Sequence, residues 1–277
     1  MGERVLLAGC GDLGGRVAQR LLARGDEVFA LRRQPPPEDP GGICWRRGDL
    51  TRVESLHELP GGITRLVYLP TPDRREVSAY RAIFIDGLRH LLDALDLDRM
   101  QRVLLVSSSA VYGEHAGAWV DESTPPAPLG FNGQVLLQAE QALAARKLPA
   151  VVLRLAGLYG PGRLQWLERL RAGQLRAPRA QPHWANRMHV DDAAAAIVHL
   201  LDLHAPLPLY LGVDDTPLPL DRLYDHLASL IGVPTAIDGP APAAVGSKRL
   251  SNARLRASGF VPRWRDARAG YAALLES

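Results

Sequence analysis

The chain has 277 residues, of which 47% are hydrophobic and 23% are charged, as is usual for a globular protein of one or two domains. No apolar run approaches the roughly 18–20 residues of a membrane helix, so we predict no membrane partner. The formal charge is only +3, and the arginines are interspersed with acidic residues instead of forming a basic block. We therefore predict no nucleic-acid partner.

Two cysteines, Cys10 and Cys44, provide neither a disulfide framework nor the spacing of metal ligands. The segment Leu7–Cys10 is similar to a lipoprotein cleavage box. However, the apolar stretch Val5–Ala8 is shorter than the roughly 7–15 residues of a signal-peptide core. We expect a cytoplasmic protein without a metal site.

Strands and helices alternate along the first 155 residues. In chain order, the apolar runs and helical spacings predict a strand at 5–8, a helix from Leu13 closed by Gly25, strands at 28–31, 43–45 and 66–69, a helix over 80–95, a strand at 103–106, a helix at 135–145 and a strand at 151–155. This alternation is typical of an α/β protein with a Rossmann-type, doubly wound parallel sheet.

After residue 156 the pattern is less regular. Helical stretches near 164–173, 191–203 and 219–231 alternate with proline-rich connections, and 207–213 is a candidate strand. We predict a nucleotide-binding domain of residues 1–155 plus 185–205, and a smaller substrate-binding lobe of residues 156–184 plus 206–277.

A glycine-rich loop separates the first strand from the first helix. The segment Gly9-Cys10-Gly11-Asp12-Leu13-Gly14 has the G-x-G-x-x-G spacing, which permits a tight turn, close approach of a pyrophosphate and close helix–strand packing. The helix N-terminus then offers free N–H groups and a positive dipole end to the phosphates. We predict a dinucleotide site here, and the alternative is a glycine-rich turn without a ligand.

The second strand ends in Arg32-Arg33, where NAD sites usually carry an acid for the ribose 2′-hydroxyl. The next acidic residue, Glu38, follows three prolines. Arginine can bind a 2′-phosphate, which a carboxylate would repel, so we predict NADP in preference to NAD. The alternative is that both arginines are solvated surface residues.

Five further motifs resemble those of the extended short-chain dehydrogenases/reductases, the NAD(P)-dependent epimerase/dehydratase superfamily. In chain order they are Gly48-Asp49-Leu50, Ser107-Ser108-Ser109-Ala110-Val111-Tyr112-Gly113, Arg154-Leu155-Ala156-Gly157-Leu158-Tyr159-Gly160-Pro161-Gly162, Met188-His189-Val190-Asp191-Asp192, and Ser251-Asn252-Ala253-Arg254-Leu255 through Gly259-Phe260. The resemblance covers nearly the whole chain. It implies a Rossmann fold, an adenine contact from Asp49 and Leu50, and a cofactor site that includes Leu69 and Pro70.

The resemblance also implies a mechanism, from which this chain departs. Ser108 matches the family serine that polarises the substrate oxygen, but the positions of the Tyr-x-x-x-Lys proton relay hold Asn132 and Leu136. Asparagine does not exchange a proton near neutral pH, so the usual mechanism cannot operate unchanged. The pattern resembles an atypical subgroup that lacks the Tyr/Lys pair.

The positions that meet the substrate diphosphate in nucleotide-sugar members differ as well. Gly157 stands where those members carry asparagine, and Ala185 where they carry arginine. Arg187 would share a face with position 185 in an extended segment, which makes it a candidate for partial replacement. Nucleotide sugars are therefore less favoured as substrates.

Ser108 is the first candidate for contacting the reacting group, and the alternative is a cap at the strand end. Asn132 is a candidate for orienting substrate or the nicotinamide amide, and the alternative is a helix N-cap.

The aromatic and histidine candidates have competing structural interpretations. Tyr112 and Tyr159 carry phenols near the expected cleft, but a packed ring with a satisfied hydroxyl is the favoured interpretation of each. His189 has a suitable ordinary pKa for proton transfer, but a structural hydrogen bond is the competing interpretation. His183 and Trp184 lie in a loop from which they could touch substrate, although nothing in the sequence requires it.

We expect an oxidoreductase or epimerase that uses NADP(H) on a small polar carbonyl, alcohol or sugar-type substrate. Ser108 would hold the oxygen, and a non-standard residue or water would move the proton. The competing hypothesis is a regulatory or scaffold protein that binds NADP(H) without turnover, because both relay residues are replaced. A homodimer through helices near 73–96 and 133–147 is an expectation from the resemblance alone.

Overall fold

The computed structural model describes residues 2–37 and 41–276, so Glu38 lies outside the described residues. The strands are β1 (Arg4–Ala8), β2 (Glu27–Arg32), β3 (Cys44–Arg47), β4 (Arg65–Tyr68), β5 (Arg102–Ser108), β6 (Trp119–Val120), β7 (Ala150–Leu155), β8 (Gly157–Tyr159), β9 (Arg176–Ala177), β10 (Trp184–Ala185), β11 (Arg187–His189), β12 (Leu209–Gly212), β13 (Leu218–Pro219), β14 (Ile237–Asp238) and β15 (Arg249–Leu250). The helices are α1 (Asp12–Ala23), α2 (Val77–Arg81), α3 (Leu88–Ala94), α4 (Phe131–Ala145), α5 (Gln165–Arg171), α6 (Val190–Asp202), α7 (Leu220–Ile231), α8 (Ala253–Ala257) and α9 (Ala267–Glu276).

Seven strands form one sheet in the order β12-β7-β5-β4-β1-β2-β3. The registers of β1 with β2 and β4, of β2 with β3, and of β4 with β5 are all parallel. The strand order reverses between β1 and β4, which is the position where Rossmann folds bind a dinucleotide. The predicted Rossmann-type α/β fold is confirmed. Within the described part of the chain, no helix is both long and apolar enough to cross a membrane.

The helix predicted over 80–95 is interrupted by a π-helical segment, Ala82–Gly87, between α2 and α3. A wider turn of this kind leaves carbonyl groups outside the regular α-helical pattern. The fully buried hydroxyl of Tyr68 donates a hydrogen bond to the carbonyl oxygen of Ile83, 2.6 Å away. The segment therefore supplies the acceptor that the buried phenol on β4 requires.

The internal contacts divide the chain into two compact units. Unit 1 contains the residues up to 108 together with 131–154 and 194–209, and unit 2 contains 109–130, 155–193 and the residues from 210 onward. The predicted domain boundaries differ from this division mainly at 109–130 and 185–193, which fall in unit 2. In unit 2, β6 pairs with β15, and β11 pairs with β8.

A buried ion pair links α4, β5 and β7 inside unit 1. Arg154 donates to both carboxylate oxygens of Glu140, with Nη2 2.6 Å from Oε2, and the hydroxyl of Ser107 donates to Oε1 at 2.5 Å. All three side chains are at most 7% exposed. Each charge is therefore compensated where water cannot reach it, as a buried ion pair requires.

Removing one member of this pair should destabilise the protein more than removing both. We expect Arg154→Met to lower the free energy of unfolding by about 3–5 kcal/mol, because it leaves the Glu140 carboxylate buried without its counter-charge. The double variant Glu140→Leu/Arg154→Met should recover most of that loss in urea unfolding followed by circular dichroism.

The exposed pair between Arg89 and Asp86, at 3.7 Å, provides the control. Arg89→Met should change the free energy of unfolding by less than about 1 kcal/mol. A double variant less stable than Arg154→Met alone would contradict this account of the buried pair.

Candidate functional site

The first glycine of the nucleotide loop lies against the end of β4. Gly9 has a φ of +97°, and a Cβ placed there would lie 2.4 Å from the Cα of Pro70. The N–H of Leu69 donates to the carbonyl oxygen of Ala8 at 2.9 Å, which holds the two strand ends together. Only glycine fits at position 9, since both the backbone angle and the close approach exclude a side chain.

The other two glycines of the loop have different surroundings. A Cβ at Gly11 would meet nothing within 4 Å, so the loop presents open backbone there. A Cβ at Gly14 would lie 3.1 Å from the carbonyl oxygen of Gly9, so the first turn of α1 packs closely on the loop. Cys10 is buried at 3% exposure and contributes to this packing. These features fit the pyrophosphate at Gly11, with α1 beginning at Asp12 and Leu13 beside it.

The predicted adenine-binding acid lies in a well-defined turn after β3. The Oδ1 atom of Asp49 accepts hydrogen bonds from the N–H and the hydroxyl of Thr51 at 2.9 and 2.8 Å. The hydroxyl of Ser55 accepts from the N–H of Asp49 at 2.8 Å. Leu50 is buried beside this turn at 7% exposure. The carboxylate is thus held in one orientation by its own loop.

An open cavity of about 700 Å³ adjoins this turn at the ends of β2 and β3. Its lining residues are Arg33, Gln34, Arg47, Gly48, Asp49, Arg52, Glu54, Ser55, His57 and Glu58. Arg33 pairs with the exposed carboxylate of Asp73, and this pairing lowers the pKa of Asp73. Arg32 is exposed at the end of β2. Sequence reasoning identified Arg33 but missed Arg47 and Arg52, because only the folded loop brings them to the same cavity.

The positions that correspond to the family's reacting residues lie at the end of β5 and in α4. Ser108 is the last residue of β5 and is half-buried, and the neighbouring Ser107 binds Glu140. The helix begins at Phe131, so Asn132 lies inside the first turn and is not the N-cap that we considered as its alternative role. Leu136 is buried at 5% exposure, as an apolar core residue should be.

Tyr112 and Tyr159 are both enclosed by protein. The hydroxyl of Tyr112 donates to the carbonyl oxygen of Asp121 at 2.9 Å, which fits its structural interpretation. Tyr159 is fully buried and stacks on Tyr271 with a centroid separation of 4.5 Å. Burial raises the pKa of the Tyr159 phenol well above its ordinary value. The predicted catalytic role of Tyr159 does not fit this placement.

His189 lies in the same aromatic cluster of unit 2. Its ring meets Tyr159 edge-on at 5.2 Å and lies 5.4 Å from the Trp264 ring. Its Nδ1 atom accepts a hydrogen bond from the N–H of Asp191 at 3.2 Å, and the side chain is 3% exposed. The surroundings favour the structural interpretation of His189 over proton transfer to a substrate.

Arg187 does not replace the missing diphosphate arginine, because its side chain is part of the unit 2 core. The guanidinium carbon lies 3.9 Å from the Trp166 ring centroid, and Nη2 donates to the hydroxyl of Tyr271 at 3.0 Å. A Cβ at Gly157 would lie 2.4 Å from Nη1 of Arg187. Gly157 therefore leaves room for the guanidinium group, and an asparagine at this position would require that group to move.

Unit 2 also contains a buried acidic residue, Asp214, that the sequence analysis did not identify. Asp214 is 2% exposed, and its Oδ1 atom accepts the N–H of Thr216 at 3.2 Å. Burial, reinforced by the neighbouring Asp266, raises the pKa of Asp214 to about 8, although Arg187 opposes the shift. No local motif marks this residue, since its environment comes from distant segments.

We expect the stability of the protein to depend on the protonation of Asp214. A folded-state pKa of about 8, above the ordinary 3.8, means that the native state keeps a proton that the unfolded chain loses. The stabilisation is complete below pH 4 and is lost as pH rises through about 8. Between pH 5.5 and 8.5 the Tm should fall by about 5 °C more in the wild type than in Asp214→Asn.

Differential scanning calorimetry across this pH range would measure the effect. The exposed residue Asp96 supplies the control, because Asp96→Asn should keep the wild-type pH slope. An Asp214→Asn variant with the same slope as the wild type would show that Asp214 does not control it.

Comparison with known proteins identifies the family. Residues 5–208 match the model of the NAD dependent epimerase/dehydratase family. A solved structure from Methylobacillus flagellatus, provisionally assigned as an NAD-dependent epimerase/dehydratase, is 39% identical, with a TM-score of 0.84 and coverage of 100% of this chain and 98% of that one.

Two curated relatives extend the comparison. Protein YeeZ of Escherichia coli K12 is 29% identical over 245 residues, which are 83% of this chain and 85% of that protein. A 3-diazoavenalumate denitrifying reductase from a Streptomyces species is 28% identical over 262 residues, which are 87% of this chain and 86% of that protein. The family model covers well over half of the chain, and the Rossmann strand order and the glycine loop beside the reversal of that order agree with it. The chain therefore belongs to the NAD-dependent epimerase/dehydratase family.

Proposed function

We propose that this protein is an NADPH-dependent oxidoreductase or epimerase that acts on a small polar carbonyl or alcohol compound. The loop Gly9–Gly14 holds the pyrophosphate, and the strand ends at Leu69 and Pro70 border the nucleotide. The observation that carries the cofactor preference is the arginine-lined cavity at the ends of β2 and β3.

Three arginines, Arg33, Arg47 and Arg52, line this cavity. Acidic residues line it too, but the Asp49 carboxylate is oriented by Thr51 and follows β3, not β2. The ribose-binding acid of NAD sites is expected at the end of β2, where this chain has arginine. A doubly charged 2′-phosphate can displace Asp73 from Arg33 and take bidentate hydrogen bonds from the guanidinium group.

The cofactor preference can be measured by titration calorimetry. We expect the wild type to bind NADPH more tightly than NADH, and Arg33→Ser or Arg47→Ser to weaken NADPH binding roughly tenfold, since each removes a charge-assisted contact worth about 1.5–3 kcal/mol. Binding of NADH should change less than about threefold.

Arg99 is exposed in unit 1 and does not line the cavity, so Arg99→Ser is the matched control. It should leave both affinities unchanged. Wild-type affinities for NADPH and NADH within threefold of each other would contradict the preference for NADP.

The packing of Arg187 in unit 2 supports the proposed substrate class. Arg187 fills the space beside Gly157, so neither of the two residues expected for a nucleotide-sugar diphosphate is available. This arrangement supports a smaller substrate. The similarity to a reductase named for a diazo compound is consistent with family members that act on molecules other than sugars.

The loop Gly9–Gly14 would hold a nicotinamide dinucleotide, which would provide hydride-transfer chemistry when bound. Ser108 donates a hydrogen bond to the substrate oxygen and stabilises the negative charge that develops on it. Asn132 holds the substrate or the nicotinamide amide in position. Because the relay positions hold Asn132 and Leu136, the proton comes from another residue or from water.

Turnover should depend on Ser108. With NADPH and a panel of small aldehydes and ketones, we expect Ser108→Ala to lower kcat/KM about 100-fold, because it removes a donor to the developing oxyanion. The Kd for NADPH should stay within about twofold. Absorbance at the nicotinamide band measures the rate, and calorimetry measures the affinity.

Ser109 is the neighbouring control, since Ser109→Ala removes a hydroxyl beyond the end of β5 and should reduce the rate only slightly. Tight NADPH binding without turnover of any compound in the panel would instead favour a non-catalytic NADP(H)-binding protein.

A further inference from the structure

Three segments of unit 2 meet around a group of polar side chains that the proposed reaction has not used. The N–H groups of His115 and Gly117 both donate to the carbonyl oxygen of Ser247 at 3.1 Å, and the N–H of Ser247 donates to Glu114 at 2.7 Å. A Cβ at Gly246 would lie 2.2 Å from the carbonyl oxygen of Gly113. The two backbones are thus in direct contact, which fixes the side chains between them.

Lys248 is buried at this junction. Its side chain is 4% exposed, and Nζ donates to the carbonyl oxygens of Gly246 at 3.2 Å and Gly113 at 3.5 Å. Both partners are uncharged and both distances are long. An ammonium group has three donors, so one N–H of Lys248 has no acceptor within the described part of the chain. Burial lowers the pKa of this ammonium group, which Glu114 partly counteracts.

His183 is the second buried group of the cluster. Its side chain is 6% exposed, and its ring makes no hydrogen bond to any described residue. Burial lowers the pKa of His183, and the charge of Lys248 adds to the shift while Glu114 opposes it. The imidazole is therefore neutral near pH 7 and carries one free donor and one free acceptor.

A cationic and aromatic stack borders these groups. The guanidinium carbon of Arg249 lies 4.8 Å from the Trp184 ring and 5.1 Å from the Trp119 ring, and its Nε donates to the carbonyl oxygen of Gly117 at 2.7 Å. Trp119 is 57% exposed. A Cβ at Gly117 would lie 2.7 Å from Nε1 of Trp184, so the indole lies directly over the glycine.

The charges of the cluster leave a positive excess. Glu114 is its acidic residue, and backbone N–H groups of Ser247 and Ala116 occupy its two carboxylate oxygens at 2.7 and 2.6 Å. Those hydrogen bonds lower the pKa of Glu114, so it stays ionised and offsets one of the two cations, Lys248 and Arg249. An anionic ligand would complete the balance.

We propose that this cluster is a substrate-binding subsite for the carboxylate of a small planar organic acid. The carboxylate accepts hydrogen bonds from Lys248 and His183, and the planar body lies against Trp184 and Trp119. This inference rests on the proposed function for one point only, the identification of the ligand as the substrate. Binding of the acid to the cluster does not itself require a bound nucleotide.

Cinnamate is a suitable probe, since it combines a carboxylate with a flat conjugated body, and cinnamamide is its neutral counterpart. By calorimetry without nucleotide, we expect the wild type to bind cinnamate at least tenfold more tightly than cinnamamide. Lys248→Met should weaken cinnamate binding at least tenfold and leave cinnamamide binding unchanged.

The chain contains only one other lysine, Lys147, which is exposed, so Lys147→Met is the matched control and should bind cinnamate like the wild type. Equal affinity of the wild type for cinnamate and cinnamamide, wild-type affinity in Lys248→Met, or no cinnamate binding up to about 10 mM would overturn the proposal. The acid–amide comparison in the wild type decides the matter even if Lys248→Met does not fold.

A parallel titration with NADPH separates this inference from the proposed function. Cinnamate binding without NADPH binding would leave the subsite standing while the cofactor proposal fails. NADPH binding without cinnamate binding would support the cofactor proposal and overturn the subsite.

Discussion

The steric contact between Gly9 and Pro70 fixes the course of the loop at which we propose that a nucleotide binds. Parallel strands β1 and β4 are neighbours in the sheet, and the chain leaves both of them at the same edge. The ends of the two strands approach so closely that a Cβ at position 9 would collide with the backbone of Pro70. Because the loop must turn sharply away at this point, the first turn of α1 and its N–H groups face the space above the strand ends.

The buried polar groups show a division between stability and function. In unit 1, Arg154, Glu140 and Ser107 satisfy one another, so the pair connects α4, β5 and β7 without a group left for chemistry. In unit 2, Arg187 is held by aromatic rings and a hydroxyl group. Lys248 and His183 are buried to a similar degree but are incompletely hydrogen-bonded. A buried donor without an acceptor destabilises the folded protein. A bound ligand that accepts its hydrogen bond removes this penalty.

Sequence patterns were sufficient for most of the seven-stranded sheet, because strands such as β1, β4 and β5 contain short apolar runs. The π-helical segment after α2 was not predictable, since the apolar spacing of 80–95 fits one continuous α-helix. The hydrogen bond from the Tyr68 hydroxyl to the carbonyl of Ile83 in this segment comes from a distant strand. The glycine loop was recognisable because its residues are contiguous. The surroundings of Arg47 and Lys248 and the core packing of Arg187 were not, because their partners come from segments far away in the sequence, and no local spacing records such contacts.

Leu136, at the position of the family's relay lysine, affects both the charge balance around Glu140 and the supply of protons on α4. Positions 136 and 140 are one turn apart on α4 and share a face of the helix. A lysine at 136 would place a second cation next to Glu140, whose carboxylate already binds Arg154 and Ser107. With Leu136 the buried pair of Glu140 and Arg154 is balanced as it stands, but no proton donor remains at positions 132 and 136 of α4. Any side chain that moves a proton must therefore come from another segment.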